Sequence, residues 1–551
     1  MHIKRSLFAV LVALIAASAN AQFDGPAPLA WRWLSQSGVA SSGAPLVNGD
    51  IIYEAAGGRI YAIDRLTGNK KWQYPPEDPI PGIFRFAPIL AKDTLIAVGD
   101  NKIIYAIDPT TGSGKWNYTL TAAPIGQPVL AGDLIVQAQS DNKLMAVDLA
   151  SGQAAWKNKD TGDVAPYNVF DGVAGQIAAS GQDVLYFTGQ EELHCLDVIT
   201  RTENIWARPI RFTQLSPYAV PLVYQSQIYV TSGQYLIDVD PASGVVTWQT
   251  ETGFNTAFSP AASSQGVFVV SEDGQAMVYD LNTGQPTPGM PKPILLGSYP
   301  STRPSAVGSK FVIPTTNGAI NLIDPANGSI LWSYVIRPIG TLKASKAAST
   351  GPGRGPGGAG QGFGAPGLGG GGQNNQDQEI TELQASGPVA LAGQTLLVPA
   401  QDSSLLAFDK DLGVDLTPPN VQMLFPTPGD QVAGQPPLVL FFKVRDEGSG
   451  VAETTLKVLI DGKEYDHTYM RDGSVIVHFR TSGKNPYPGQ GRHTITLDVA
   501  DWLGNEARQD FAITIDNSLP PVVLPGQATN NNGRPGFGGG GPGKGGGGGE
   551  D

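Results

Sequence analysis

The chain has 551 residues, too many for one ordinary domain, and its 70 Gly and 44 Pro predict many turns and some disorder. A formal net charge of −13, with no clustered run of Lys and Arg, excludes a nucleic-acid binder, because phosphate contacts need cations gathered on one face. The single cysteine, Cys195, excludes an intramolecular disulfide, so stability has to come from packed apolar surface and sheet closure.

The N-terminus carries Lys4 and Arg5, an apolar run from Leu7 to Ala17, and then Ala19, Asn20 and Ala21. This order of charged, apolar and small residues predicts a signal peptide over 1–21, cleaved after Ala21. The apolar run is about half of the roughly 20 residues that span a bilayer. The residue after the cut is Gln22 and not Cys, so no lipoprotein anchor is expected. No later segment reaches spanning length. The mature chain is therefore expected to be exported to the periplasm or beyond, with no integral membrane segment.

From residue 22 to 417 the chain repeats. Asp64, Asp108, Asp148, Asp197, Asp240, Asp280, Asp324 and Asp409 recur at intervals of 44, 40, 49, 43, 40, 44 and 85 residues. Four strands of about 5–6 residues with their turns fill such an interval, which is one propeller blade. Four places after the Asp stand Gly68, Gly112, Gly152, Gly244, Gly284, Gly328 and Gly413; after Asp197 the position is Arg201. Eight places after stand Trp72, Trp116, Trp156, Trp248 and Trp332, with Trp206 one place later. A Pro about twenty residues upstream (Pro45, Pro88, Pro128, Pro221, Pro260, Pro304, Pro388) opens most units. The Asp side chain is expected to cap the turn, the Gly to supply a positive φ, and the Trp strand to return across its sheet onto a small residue such as Ala62. Burial of an indole is worth roughly 4–6 kcal/mol by transferred area, which outweighs any one turn hydrogen bond.

The eighth unit has Asp409 and Gly413 but Thr417 in the Trp position, so it lacks its last strand. The segment Leu29 to Leu34, with Trp31 and Trp33, resembles that strand and is expected to pair into the last blade. Sharing a blade between the two ends removes free sheet edges. The fold expected is all-β: an eight-bladed propeller closed by its N-terminal strand. The stretches Ala106 to Trp116 and Ala146 to Trp156 resemble the tryptophan-docking motif of pyrroloquinoline-quinone-type (PQQ-like) repeat propellers. That family includes quinoprotein alcohol dehydrogenases and also non-enzymatic propellers, notably the lipoprotein subunit of the outer-membrane β-barrel assembly machinery. The resemblance implies the fold far more closely than the function.

Within the seventh interval a Gly-rich insert, about 345–378, cannot bury enough apolar surface to fold and is expected to be a disordered loop between blades seven and eight. It lacks the Gly-Lys-Ser/Thr of a phosphate-cradling loop. From 418 to 517 the pattern changes to alternating strands, such as Leu438–Phe442, Val475–Phe479 and His493–Leu497, separated by Gly, Pro and Asp turns. This predicts an immunoglobulin-like β-sandwich, and the turns around Asp446 and Asp501 resemble bacterial modules of that kind. The Gly-rich tail, 518–551, is expected to be disordered.

A quinoprotein dehydrogenase is the enzymatic alternative. The resemblance implies for it an adjacent cysteine pair, a catalytic Asp, and Glu and Asn ligands for calcium; one cysteine cannot make the pair. Aspartates that recur eight times read as turn residues, so no catalytic residue and no cofactor is predicted, pyrroloquinoline quinone and calcium belonging only to this alternative. Cys195 stands where other units have Ala62, Ala106, Ala146 and Ala407, and reads as a buried filler whose neighbour His194 faces the other side of the strand. His467, His478 and His493 fall in the sandwich without a zinc spacing. Asp446 and Asp501 are candidates for calcium at one end of the sandwich, with turn capping the favoured reading. The function expected is an exported, non-catalytic binding or scaffold protein whose partner is a protein of the cell envelope. The second alternative is a cell-surface glycan-binding protein.

Overall fold

The computed structural model describes residues 21–522 apart from 41, 217–218, 339–341, 344–378, 381, 471 and 482. The expected signal peptide, Gly-rich insert and most of the tail lie outside the described residues. Among the described residues there is no helix; every element is a strand.

Up to residue 408 the strands form eight four-stranded antiparallel sheets in a β-propeller. Seven use four consecutive strands, the first being Leu46–Asn48, Ile51–Ala56, Arg59–Asp64 and Lys70–Tyr74. The eighth joins Ala390–Ala392, Thr395–Pro399 and Ser404–Phe408 to the N-terminal Leu29–Leu34, with Trp31 opposite Ala407 and Trp33 opposite Leu405. The middle strands are mostly apolar because both their faces are covered. In Arg59–Asp64, Ile60 and Ala62 pack toward the second sheet with Leu95 and Ile107, while Tyr61 and Ile63 pack toward the eighth with Leu397 and Leu405. Each seam between blades is thus a separate small core.

Several expectations need correction. Trp72 does stand opposite Ala62 in register. Its ring, however, covers Gly112 of the next blade: a Cβ there would lie 2.7 Å from the indole. The tryptophans therefore tie neighbouring blades together and do not seal their own. In the closing strand the residue in this role is Trp31, over Gly68, while Trp33 packs edge-on against Tyr61 at 4.8 Å. Trp156 and Trp206 lie outside strands, because the outer strands of the third and fourth blades are the later pairs Tyr167–Asn168 and Ile210–Arg211. Trp156 precedes an added turn in which Asn158 Oδ1 accepts from the amides of Asp160 and Thr161, and Gly162 has φ 75°. The sixth blade has no Trp; Ile294 and Met290 cover Gly328 instead. Arg201 takes the left-handed conformation, φ 58°, that glycine takes in the other turns, whereas Gly413 does not adopt it.

After Asp415 the chain enters a two-layer β-sandwich. One sheet orders Asn420–Phe425, Val439–Arg445, Ser474–His478 and Thr468–Tyr469; the other orders Gln431–Val432, Glu506–Ile515, Gly491–Asp501, Val451–Ile460 and Lys463–Tyr465. Leu440, Phe442, Val475 and Val477 from the first face Val458, Leu497, Val499 and Ile513 from the second across one core. Alternation of these with polar residues is the period-two pattern of strands buried on one face.

Candidate functional site

The repeat aspartates sit at hairpin bends and serve the backbone. Asp64 Oδ1 accepts from the amides of Leu66 and Thr67, both at 3.1 Å, and from Thr67 Oγ1 at 3.0 Å. Asp108, Asp148, Asp197, Asp240, Asp280 and Asp324 accept equivalent amides two or three residues on. In the first six units bonds that favour the charged form hold the carboxyl below the usual carboxylate range: Lys71 foremost at Asp64, the Thr111 amide at Asp108, the Ser151 hydroxyl at Asp148, the Thr200 amide at Asp197, the Ser243 hydroxyl at Asp240 and the Thr283 hydroxyl at Asp280. Asp409 is wholly buried, accepts the Thr395 hydroxyl and lies 3.8 Å from Arg65 of the first blade.

Docking of the tryptophans follows one geometry. The indole Nε1–H of Trp31, Trp72, Trp116, Trp156, Trp206 and Trp248 donates to the carbonyl one residue after the next repeat Asp: Arg65, Pro109, Leu149, Val198, Pro241 and Leu281, at 2.8–3.2 Å. Trp332 departs from it. Its expected acceptor follows Asp409, yet it donates at 2.8 Å to Ser449 of the sandwich, and Trp502 of the sandwich donates back to Ser333 at 3.0 Å. Tyr334 adds a bond to the Glu447 carbonyl, and the Leu29 amide one to Gly448. The sandwich loop 446–450 therefore stands in for a neighbouring blade.

Asp446 and Asp501 come together at this junction, joined by Asp415, which sequence reading missed because it follows the last repeat. His467 and His478 line one cavity of about 240 Å³ with Arg480 and Lys484, while His493 is engaged by Asp461 at 2.6 Å and the Gly489 carbonyl at 2.7 Å. Cys195 is buried among Leu185, Leu193 and Val230, and burial, then Asp183, pushes its thiol up to about 12, which suppresses the thiolate. His194 does face away from it. Its Nδ1 meets Glu203 at 2.7 Å, and Glu203 also accepts Tyr167 and Tyr186. Burial would raise Glu203, but the bonds from His194 and the two tyrosines outweigh it and hold the group at about 2. No motif marked this network; the only signal was a His and a Glu in the one unit that had lost its turn glycine.

Two further features were not foreseen. Glu54 lies in the buried strand Ile51–Ala56, between Ile52 and Ala56 that face the closing blade, and burial pushes it to about 8. The only hint was an acid inside an apolar run. Phe170, in the loop joining the third blade to the fourth, is 98% exposed. Connections of this type share one propeller face; the described stem of the insert, Leu342 paired with Ile380 and Lys343 with Glu379, belongs to that between the seventh and eighth blades.

A family described as outer membrane protein assembly factor BamB matches residues 28–172, 84–250, 141–288 and 219–347, overlapping stretches that together cover more than half of the chain. No curated protein matches it. Among solved structures the chain is similar to BamB from Moraxella catarrhalis, with 14% identity, 69% of this chain and 99% of that one covered, and a TM-score of 0.47. It is also similar to the computationally designed Ika8 protein (12% identity, 70% and 98% covered, TM-score 0.44) and to a europium-containing methanol dehydrogenase (13% identity, 56% and 80% covered, TM-score 0.41).

Proposed function

This chain belongs to the family described as outer membrane protein assembly factor BamB, and from that membership we propose that it is an exported, non-catalytic binding or scaffold protein that uses its propeller to engage a protein of the cell envelope. The observation that carries the reading is the use to which the repeat acids are put. They are bonded to turn amides, and in the first six units the carboxyls are also held below their usual range, so those six are poor proton donors and acceptors at neutral pH. The lone cysteine is a buried filler with its thiol pushed up to about 12.

The loop face that presents Phe170 is the partner-binding face in this reading, because a fully exposed aromatic is the type of side chain that anchors an interface. The sandwich, read as immunoglobulin-like, braces the propeller from the side and offers a second contact surface. No helix among the described residues is long and apolar enough to cross a membrane. The test is mild crosslinking in the cell envelope followed by purification, beside reconstitution with pyrroloquinoline quinone and calcium. A defined protein recovered with the native chain and lost with Phe170→Ala supports the proposal; dye-linked alcohol oxidation by the reconstituted chain overturns it.

A further inference from the structure

Asp415, Asp446 and Asp501 are each buried and bring one carboxylate oxygen apiece to within 4.8 Å of one another. They arrive from separate places: Asp415 from the connector after the last blade, Asp446 from the loop before Val451–Ile460, and Asp501 from the end of Gly491–Asp501. Backbone amides engage them from outside the cluster. Asp415 accepts Thr417 and Ser449, Asp446 Oδ2 accepts Gly448 and Gly450, and Asp501 Oδ1 accepts Leu503 and Asn505. Such neutral donors orient the carboxylates but leave like charges crowded where water is excluded. Burial foremost, with Asp415 and Asp501 adding to it, pushes Asp446 to about 6.

A second observation does not depend on the acids. Ser449 is 0% exposed, its side chain interacts with Asp415 from within the cluster, and its hydroxyl completes no well-formed hydrogen bond. A buried hydroxyl left in this state is unfavourable and uncommon. The amides of Gly448 and Gly450 both go to Asp446 Oδ2, and a small cavity opens beside Asp446 and Gly450. Arg337 lines that cavity from the seventh blade but forms no ion pair with any of the three carboxylates among the described residues.

We propose that Asp415, Asp446, Asp501 and Ser449 Oγ hold one hard divalent cation of calcium size, which clamps the sandwich to the propeller. The donors are all oxygens, the chemistry hard cations select. Oxygens spread over as much as 4.8 Å sit around a centre at calcium's 2.3–2.6 Å more readily than at magnesium's 2.0–2.1 Å. Position supplies the consequence. Asp415 belongs to the propeller side and the other two to the sandwich, and the Asp415 carbonyl also accepts Asn505, next to the Trp332 and Trp502 bonds that cross the same junction. The inference does not rest on the propeller's binding role.

The test uses the full mature chain, stripped with chelator and titrated with calcium chloride by calorimetry, alongside thermal melts with and without calcium. One ion bound per chain and a melting temperature several degrees higher in millimolar calcium are expected. Asp501→Asn should weaken binding at least tenfold. Asp446→Asn keeps the shape and removes one of the crowded charges, so in chelator it should melt at or above the native temperature while losing the calcium response; this separates a lost site from a misfolded variant. Identical melts with no heat of binding would overturn the proposal, as would unchanged calcium affinity in Asp446→Asn. Equal binding of magnesium would overturn the size assignment.

Discussion

Six of the propeller's eight tryptophans reach a carbonyl of the adjoining blade, and another, Trp332, reaches a carbonyl of another domain. The donor and the distance are alike; the owner of the acceptor differs. Turn-and-indole docking is therefore a local device, indifferent to whether a blade or a loop presents the carbonyl. At the seam beyond blade seven it has been used to fasten a sandwich. There Trp332 is wholly buried, packed on Phe23 and Phe408, whereas Trp72 in an ordinary seam stays partly exposed.

The largest expected effect separates these two kinds of seam. Trp332→Ala should cost about 3–5 kcal/mol and also free the sandwich, because it removes both core volume and the bond to Ser449. Trp72→Ala should cost less and act within the propeller. Urea melts with limited proteolysis of the connector around Asp415 check this; equal proteolysis in the two variants would erase the distinction.

The other flank of the eighth blade can be read through Glu54. Its folded value of about 8 lies above the ordinary 4.5, so the folded chain keeps a proton that the unfolded chain releases. Stability from this group accordingly falls as pH rises from about 4.5 to 8 and levels off above. Glu54→Gln should flatten that dependence and gain up to about 4 kcal/mol at pH 8 and beyond, read from melts across the range.

A smaller gain should come from Arg201→Gly in the fourth blade. The turn there holds a bulky residue at φ 58°, and relief of that conformation is worth about 0.5–1 kcal/mol in a denaturant melt. Phe170→Ala should leave the melt unchanged within about 0.5 kcal/mol, since the ring touches little, and should lower only the recovery of a crosslinked partner.

What could be read in advance follows the same division. The Asp and Gly spacing exposes the blades because every unit meets the same backbone need, and the shortfall at Thr417 points to the closing strand. Which tryptophan of the pair Trp31 and Trp33 docks was not legible: both stand in one short strand, and the choice depends on Gly68 of the neighbouring blade. Nor was the direction of docking, since Ala62 in the same sheet and Gly112 in the next are equally small. Asp446 and Asp501 were visible as turn acids, but Asp415 joins them only through folding, across a connector that carries no motif. The partner of Trp332 was hidden for the same reason, lying 117 residues away in another domain.

The most direct test of this account is hydrogen exchange at the nine indole N–H groups of the chain, resolved by nitrogen-15 labelling of tryptophan. Trp332 and Trp502 should exchange as slowly as the buried, blade-docked Trp156, while Trp33, whose indole meets no carbonyl among the described residues, exchanges fast. Rapid exchange at Trp332, at the rate of Trp33, would contradict a sandwich seated in the seam beyond the seventh blade.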